Sequence, residues 1–146
     1  MRAPPPATVT VTVLDVTDPP ACTSAQPSVE WLWPPNHKFM PVQILGVTDP
    51  NNDQVNITIT GVTQDELVNG LGDGDTLPDA VLNGSEVLLR AERSGKGNGR
   101  VYHVSFTADD SFGGSCVGAV TVCVPHDNGK KPTCVDDGQR YNSLQP

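Results

Sequence analysis

Basic side chains are scarce in this chain. Lysine and arginine number 9 in 146 residues, against 17 aspartates and glutamates, for a formal net charge of −8. A duplex phosphate backbone would repel such a protein, which excludes nucleic acid as its default partner. Long apolar runs are missing too: nothing approaches the roughly 18–20 residues of a membrane-spanning helix. No stretch sustains a capped 3.6-residue apolar period, so a helical bundle is excluded. The four cysteines contain no C-x-x-C pair, and no histidine stands at zinc-finger spacing from a cysteine pair. A structural zinc site is therefore not expected. H-x-H, H-E-x-x-H and G-x-S-x-G strings are absent, and the expectation is a protein that is not an enzyme. The opening MRAPPPATVTV has no apolar core segment and does not read as a signal peptide.

Turn formers and short alternating runs take the place of these features. Glycine and proline number 14 each, while aromatics make up only 5%. Strand signals occur at Ala7–Leu14, Ser28–Leu32, Phe39–Val47, Gln54–Val62, Ser85–Glu92, Arg100–Thr107 and Val117–Val124. Clusters of Gly, Pro, Asn and Asp separate them, including 49–53, 69–79, 94–99 and 109–114. Seven short strands at this spacing predict an antiparallel β-sandwich in a chain long enough for one domain and a tail. The Gly-rich 94–99 loop has no G-K-[ST] and no following helix, so it reads as a hairpin loop with solvated charges.

Cys116 and Cys123 lie seven residues apart in what reads as one strand. An extended strand would hold them roughly 23 Å apart, far beyond disulfide reach. The favoured pairing is Cys22–Cys116 with Cys123–Cys134, which places the chain in an oxidising, extracellular or cell-surface setting. VTVTV at Val9–Val13 matches VTVCV at Val120–Val124 with an offset of 111 residues, about the length of one immunoglobulin-like module. This predicts residues 1–20 as a linker or the terminal strand of a preceding module and 21–125 as the sandwich. Residues 126–146 form a polar tail, pinned by Cys134 and ordered only that far. The chain is expected to be a segment of a longer secreted protein.

Several strings carry a family resemblance: Trp33-Pro34-Pro35-Asn36-His37-Lys38, Val47–Pro50, Arg90–Arg93 followed by Gly99–Tyr102, Ala108–Asp110, and Gly113–Cys116. Together they resemble the Ig-like repeats, HYR- and cadherin-like in style, of large secreted bacterial surface proteins. The similarity runs from about Cys22 to Pro125. It implies an immunoglobulin-like Greek-key sandwich of about seven strands with an extra N-terminal strand. Such a module would serve adhesion, spacing, or as an accessory beside a catalytic domain. No enzymatic residue carries over.

Charge patterning adds a metal hypothesis. Between Lys38 and Arg90 there is no basic residue, yet eight acids fall there. Carboxylates this dense repel one another unless they are solvated or bridged by a cation. Asp73, Asp75 and Asp79 share a glycine-bearing loop, and Asp65 and Glu66 offer further oxygens, a set suited to Ca²⁺. An EF-hand is excluded, because Pro78 stands where the invariant glycine belongs and Gly84 where the bidentate glutamate belongs. Asp15, Asp18, Asp49 and Asp53 form a weaker group, since D-P strings are ordinary turn formers.

Trp31 and Trp33 share strand parity and give the second functional reading. Two indoles on one face make a platform for sugar rings, with Asp109 and Asp110 available to hydroxyls. This would be a carbohydrate-binding module of a secreted hydrolase. Against it, a chain this poor in aromatics is expected to use at least one tryptophan as its main packing anchor. A third reading, a small metal-dependent enzyme, needs His37, His103 and His126 to converge. His37 is expected to bond backbone locally, and Arg90 and Glu92, on one strand face, to pair with each other or with neighbouring acids. The leading expectation is a non-catalytic extracellular module, adhesive or a calcium-rigidified spacer. Its partners would be neighbouring domains, and a polysaccharide or another surface protein.

Overall fold

The computed structural model describes residues 18–68, 77–127 and 133–145. Their alternating runs fold into eight strands and no helix: β1 (Gln26–Pro27), β2 (Phe39–Leu45), β3 (Asn56–Gln64), β4 (Ala80–Asn83), β5 (Glu86–Arg90), β6 (Arg100–Asp109), β7 (Ser115–Val124) and β8 (Tyr141–Asn142). Two antiparallel sheets of four strands, in the orders β1-β2-β5-β4 and β7-β6-β3-β8, make a β-sandwich. No helix among these residues is long and apolar enough to cross a membrane.

Period-two patterning fixes which side chains go inside. Along β6, Tyr102, Val104, Phe106 and Ala108 are buried between the sheets, facing Val42, Val87 and Leu89 of the other layer. In β3 the register against β6 shifts between Ile59 and Gly61. That bulge reverses the parity of the strand, so Val62 and Gln64 are buried after Ile59. It carries a glutamine into the core that strict alternation would have turned outward.

Three sequence expectations are corrected. Neither tryptophan is the packing anchor: Trp31 and Trp33 are 48% and 38% exposed, Leu32 between them is buried, and the largest buried apolar side chains are Tyr102 and Phe106. Ser28–Leu32 forms no ladder strand; Trp31 makes a single parallel bridge to Cys123. The 94–99 loop is not a hairpin, because β5 and β6 belong to different sheets and the chain crosses between layers there. The sequence reading also missed β4, a four-residue strand joined to β5 through Gly84-Ser85. Gly84 has φ 73°, the positive value that a two-residue hairpin requires at its first loop position.

The tail extends past Cys134. Tyr141 and Asn142 pair with Gln64 and Thr63. The Ser143 carbonyl accepts from the amides of Asp79 and Ala80, and its own amide donates to Val62 O. The tail thus ties β3 to β4 across the two layers. The Cys22–Cys116 and Cys123–Cys134 disulfides form as expected, with Cα separations of 6.0 and 6.1 Å, near opposite ends of β7. The N-terminal strand expected at 7–14, and with it the VTVTV copy, lies outside the described residues.

Candidate functional site

Because Asn56 at the start of β3 pairs with Asp109 at the end of β6, the turn before β3 and the β6–β7 turn share one end of the sandwich. Both turns are built by aspartates that grip their own backbone. Asp49 Oδ1 accepts from the amides of Asn51 and Asp53 at 2.8 and 3.2 Å. Asp110 Oδ1 accepts from Phe112 and Gly114 at 2.8 and 2.9 Å. These Asx contacts occupy one oxygen of each carboxylate. The other oxygens, Asp49 Oδ2, Asp110 Oδ2 and also Asp53 Oδ2, are buried without a hydrogen-bond partner. Asp49 and Asp110 are themselves 9% and 1% exposed.

One carboxylate oxygen from each of Asp49, Asp53 and Asp110 can be chosen so that all lie within 4.8 Å of one another. No lysine or arginine among the described residues pairs with any of them. Burial, together with the neighbouring charges of Asp49 and Asp110, holds the Asp53 carboxyl above the usual range. Three carboxylates around a common point, each keeping an oxygen free, lack a counter-charge. A cation at ordinary calcium–oxygen distances of about 2.4 Å would fit between oxygens spaced this way. Gly114 keeps the space open, since a Cβ there would meet Asp110 Oδ2 at 2.5 Å and Pro19 Cα at 2.9 Å. The chain at 18–22 lies over these turns. The Asp18 amide donates to Asn51 Oδ1 at 2.7 Å, Ala21 bridges to Thr48, and Cys22 is disulfide-bonded to Cys116.

The acids singled out from sequence sit at the opposite end, where protein groups already answer their charge. Asp65 accepts from the amides of Val101 and Asp137 at 2.9 and 3.1 Å. Glu66 Oε1 accepts from Ser94 N and from Arg100 Nε. Asp79 Oδ2 meets Arg100 at 3.0 Å and Gln64 Nε2 at 2.9 Å. Arg100, Asp79 and Glu92 are fully buried, and Arg100 also donates to the Tyr102 hydroxyl. Burial, opposed by Arg100 and Gln64 but reinforced by Glu92, raises the Asp79 carboxyl to about 7. Asp73 and Asp75 lie outside the described residues.

Each histidine meets its own carboxylate: His37 with Glu92 at 2.6 Å, His103 with Asp136 at 3.1 Å, and His126 with Asp127 at 3.2 Å. In place of the expected local backbone contact, the His37 ring meets a buried side chain 55 residues away, and it closes the Arg100 cluster from outside. Of the two pairings expected for Arg90, the one formed is with a neighbouring acid, Asp79, at 3.8 Å. Arg90 donates to the carbonyls of Pro78 and His37 and stacks on Phe39. Comparison of the chain with protein-family models, with curated proteins and with solved structures finds no match in any of the three. Its chemistry rests on its own residues.

Sequence reasoning placed Asp49 and Asp53 in a secondary group and offered Asp110 only to sugar hydroxyls. The available signal was that both Asp-rich turns flank runs read as strands. Their convergence depends on the β3–β6 pairing, which no local pattern states.

Proposed function

We propose that the chain is a non-catalytic extracellular module, an Ig-like sandwich serving adhesion or spacing within a larger secreted or surface protein and held rigid by Ca²⁺. The observation that carries this reading is the trio Asp49, Asp53 and Asp110, with three buried and unpartnered carboxylate oxygens. Leaving such groups uncompensated is costly, whereas a hard divalent cation turns the repulsion into cross-linking of two turns. Supporting the Ig-like part of this reading, the strand orders β1-β2-β5-β4 and, leaving aside the edge strand β8, β7-β6-β3 run as do the ABED and GFC sheets of a constant-type Ig domain. Tyr102, near the start of β6, donates its hydroxyl to Arg90 O at 2.7 Å, in the manner of a tyrosine corner. Two disulfides favour an oxidising compartment. Equilibrium dialysis against Ca²⁺ tests the reading. Saturable binding that is lost in Asp53→Asn and Asp110→Asn supports it, and the absence of millimolar or tighter binding refutes it.

A second reading is favoured by the exposure of Trp31. A pure spacer gains nothing from a solvent-facing indole, whereas a carbohydrate-binding module requires one. The two readings are compatible, since they use different ends of the sandwich.

A further inference from the structure

Trp31 is exposed but not loosely held. Leu32, the next residue, is buried in the core. Its amide donates to Cys123 O, and the Cys123 amide donates to Glu30 O, both at 2.9 Å. The indole therefore stands on a backbone clip fastened to β7. The Cys123–Cys134 disulfide fixes the opposite wall to the same strand. Between them lies a groove of about 410 Å³ lined by Glu30, Trp31, Thr121, Thr133, Asp136 and the disulfide. Its size falls within the roughly 300–1,000 Å³ typical of small-ligand sites.

Asp136 is positioned as firmly as Trp31. Its Oδ1 accepts from Gly138 N and Gln139 Nε2, and its Oδ2 faces His103 Nε2. Partial burial would raise its pKa. The contacts from Gln139, Gly138 and His103 outweigh that effect and keep the carboxylate ionised.

We propose that this groove is a subsite for a neutral sugar chain, with Trp31 as its stacking surface and Glu30, Thr121, Thr133 and Asp136 as its polar rim. The inference rests on the carbohydrate reading above and assigns it a place. The choice of ligand follows from the lining. An indole face packs against the C–H face of a pyranose, and carboxylates and hydroxyls suit its hydroxyl groups. Glu30 and Asp136 disfavour an anionic polymer. A peptide adding to β7 as a strand is blocked here, because Cys123's amide and carbonyl are already engaged by Glu30 and Leu32. Trp33 is exposed but does not line the groove.

The test is isothermal titration calorimetry of the full chain, under non-reducing conditions, with soluble cellulose ether, xylan, galactomannan and starch. Polygalacturonate and tetramethylammonium serve as the anionic and cationic controls. At least one neutral polymer is expected to bind saturably, with Trp31→Ala weakening it by about tenfold or more and Trp33→Ala by less than about twofold. Glu30→Gln, which leaves the backbone clip intact, is expected to weaken it as well. Neutral-polymer binding that survives Trp31→Ala overturns the groove but leaves the carbohydrate reading standing. No response to any neutral polymer overturns both. A response to tetramethylammonium alone would make the groove a cation site and overturn the inference.

Discussion

Replacing Asp110 with asparagine separates a calcium site from a merely acidic turn, because the substitution leaves the turn intact. Asn keeps the Oδ1 that accepts from Phe112 and Gly114. It removes one of three mutually repelling charges and the buried Oδ2 that has no partner. In EDTA the variant should therefore melt at or above the wild-type temperature. In calcium the order should reverse. With an affinity of about 0.1 mM, within the range of extracellular calcium modules, 10 mM Ca²⁺ stabilises the native state by about 2.7 kcal/mol. At about 3–5 °C per kcal/mol for a domain of this size, the wild type gains about 8–13 °C. Asp110→Asn should keep little of that gain. Glu86→Gln, an equal change in net charge at the exposed β4–β5 hairpin, should keep nearly all of it. Differential scanning calorimetry without reductant measures every term. Identical melting of the wild type in Ca²⁺ and EDTA, or a full calcium gain in Asp110→Asn, would refute the reasoning.

Three further outcomes are expected. Asp79 has its carboxyl raised to about 7 in the folded state against 3.8 unfolded, so its contribution to stability is complete below about pH 3.8 and lost as pH rises through 7. Asp79→Asn should flatten the decline in urea-derived stability between pH 5 and 8, and an unchanged slope would assign it to other groups. Replacing Cys22 and Cys116 together with serine opens a link spanning 94 residues and should cost about 4 kcal/mol in urea unfolding. Gly114→Ala forces a methyl against Asp110 Oδ2 and Pro19. It should cost about 1–3 kcal/mol and weaken calcium binding, as calorimetry and dialysis would show.

Local sequence carried much of the architecture and little of the site. The runs that became β2, β3, β5, β6 and β7 were readable because alternation over five or more residues states its own period. Excluding a Cys116–Cys123 link needed only the length of an extended strand. β4 and β8 escaped notice because four and two residues are too few to display a period, and each exists only through its partner. The tryptophans were misjudged because parity says that Trp31 and Trp33 share a face and Leu32 takes the other, but not which face looks inward. That depended on the backbone bonds of Glu30 and Leu32 to Cys123, far along the chain, with Leu32 buried in the core.

The acids show the same division. Their abundance and the lack of nearby bases between Lys38 and Arg90 are visible in the chain, and they pose the question of what balances the charge. For Asp65, Glu66 and Asp79 the structure supplies amides, Gln64 and a buried Arg100 that lies 34 residues from Glu66 in sequence. For Asp49, Asp53 and Asp110 it supplies no basic group among the described residues. The sequence by itself determined an all-β, disulfide-stapled, acidic chain, because period, spacing and composition are local or summed properties. Tertiary structure decided which carboxylates meet amides and a buried arginine and which meet no basic group among the described residues. Charge compensation acts through space over a few ångströms, and that distance is set only when strands far apart in the chain are paired.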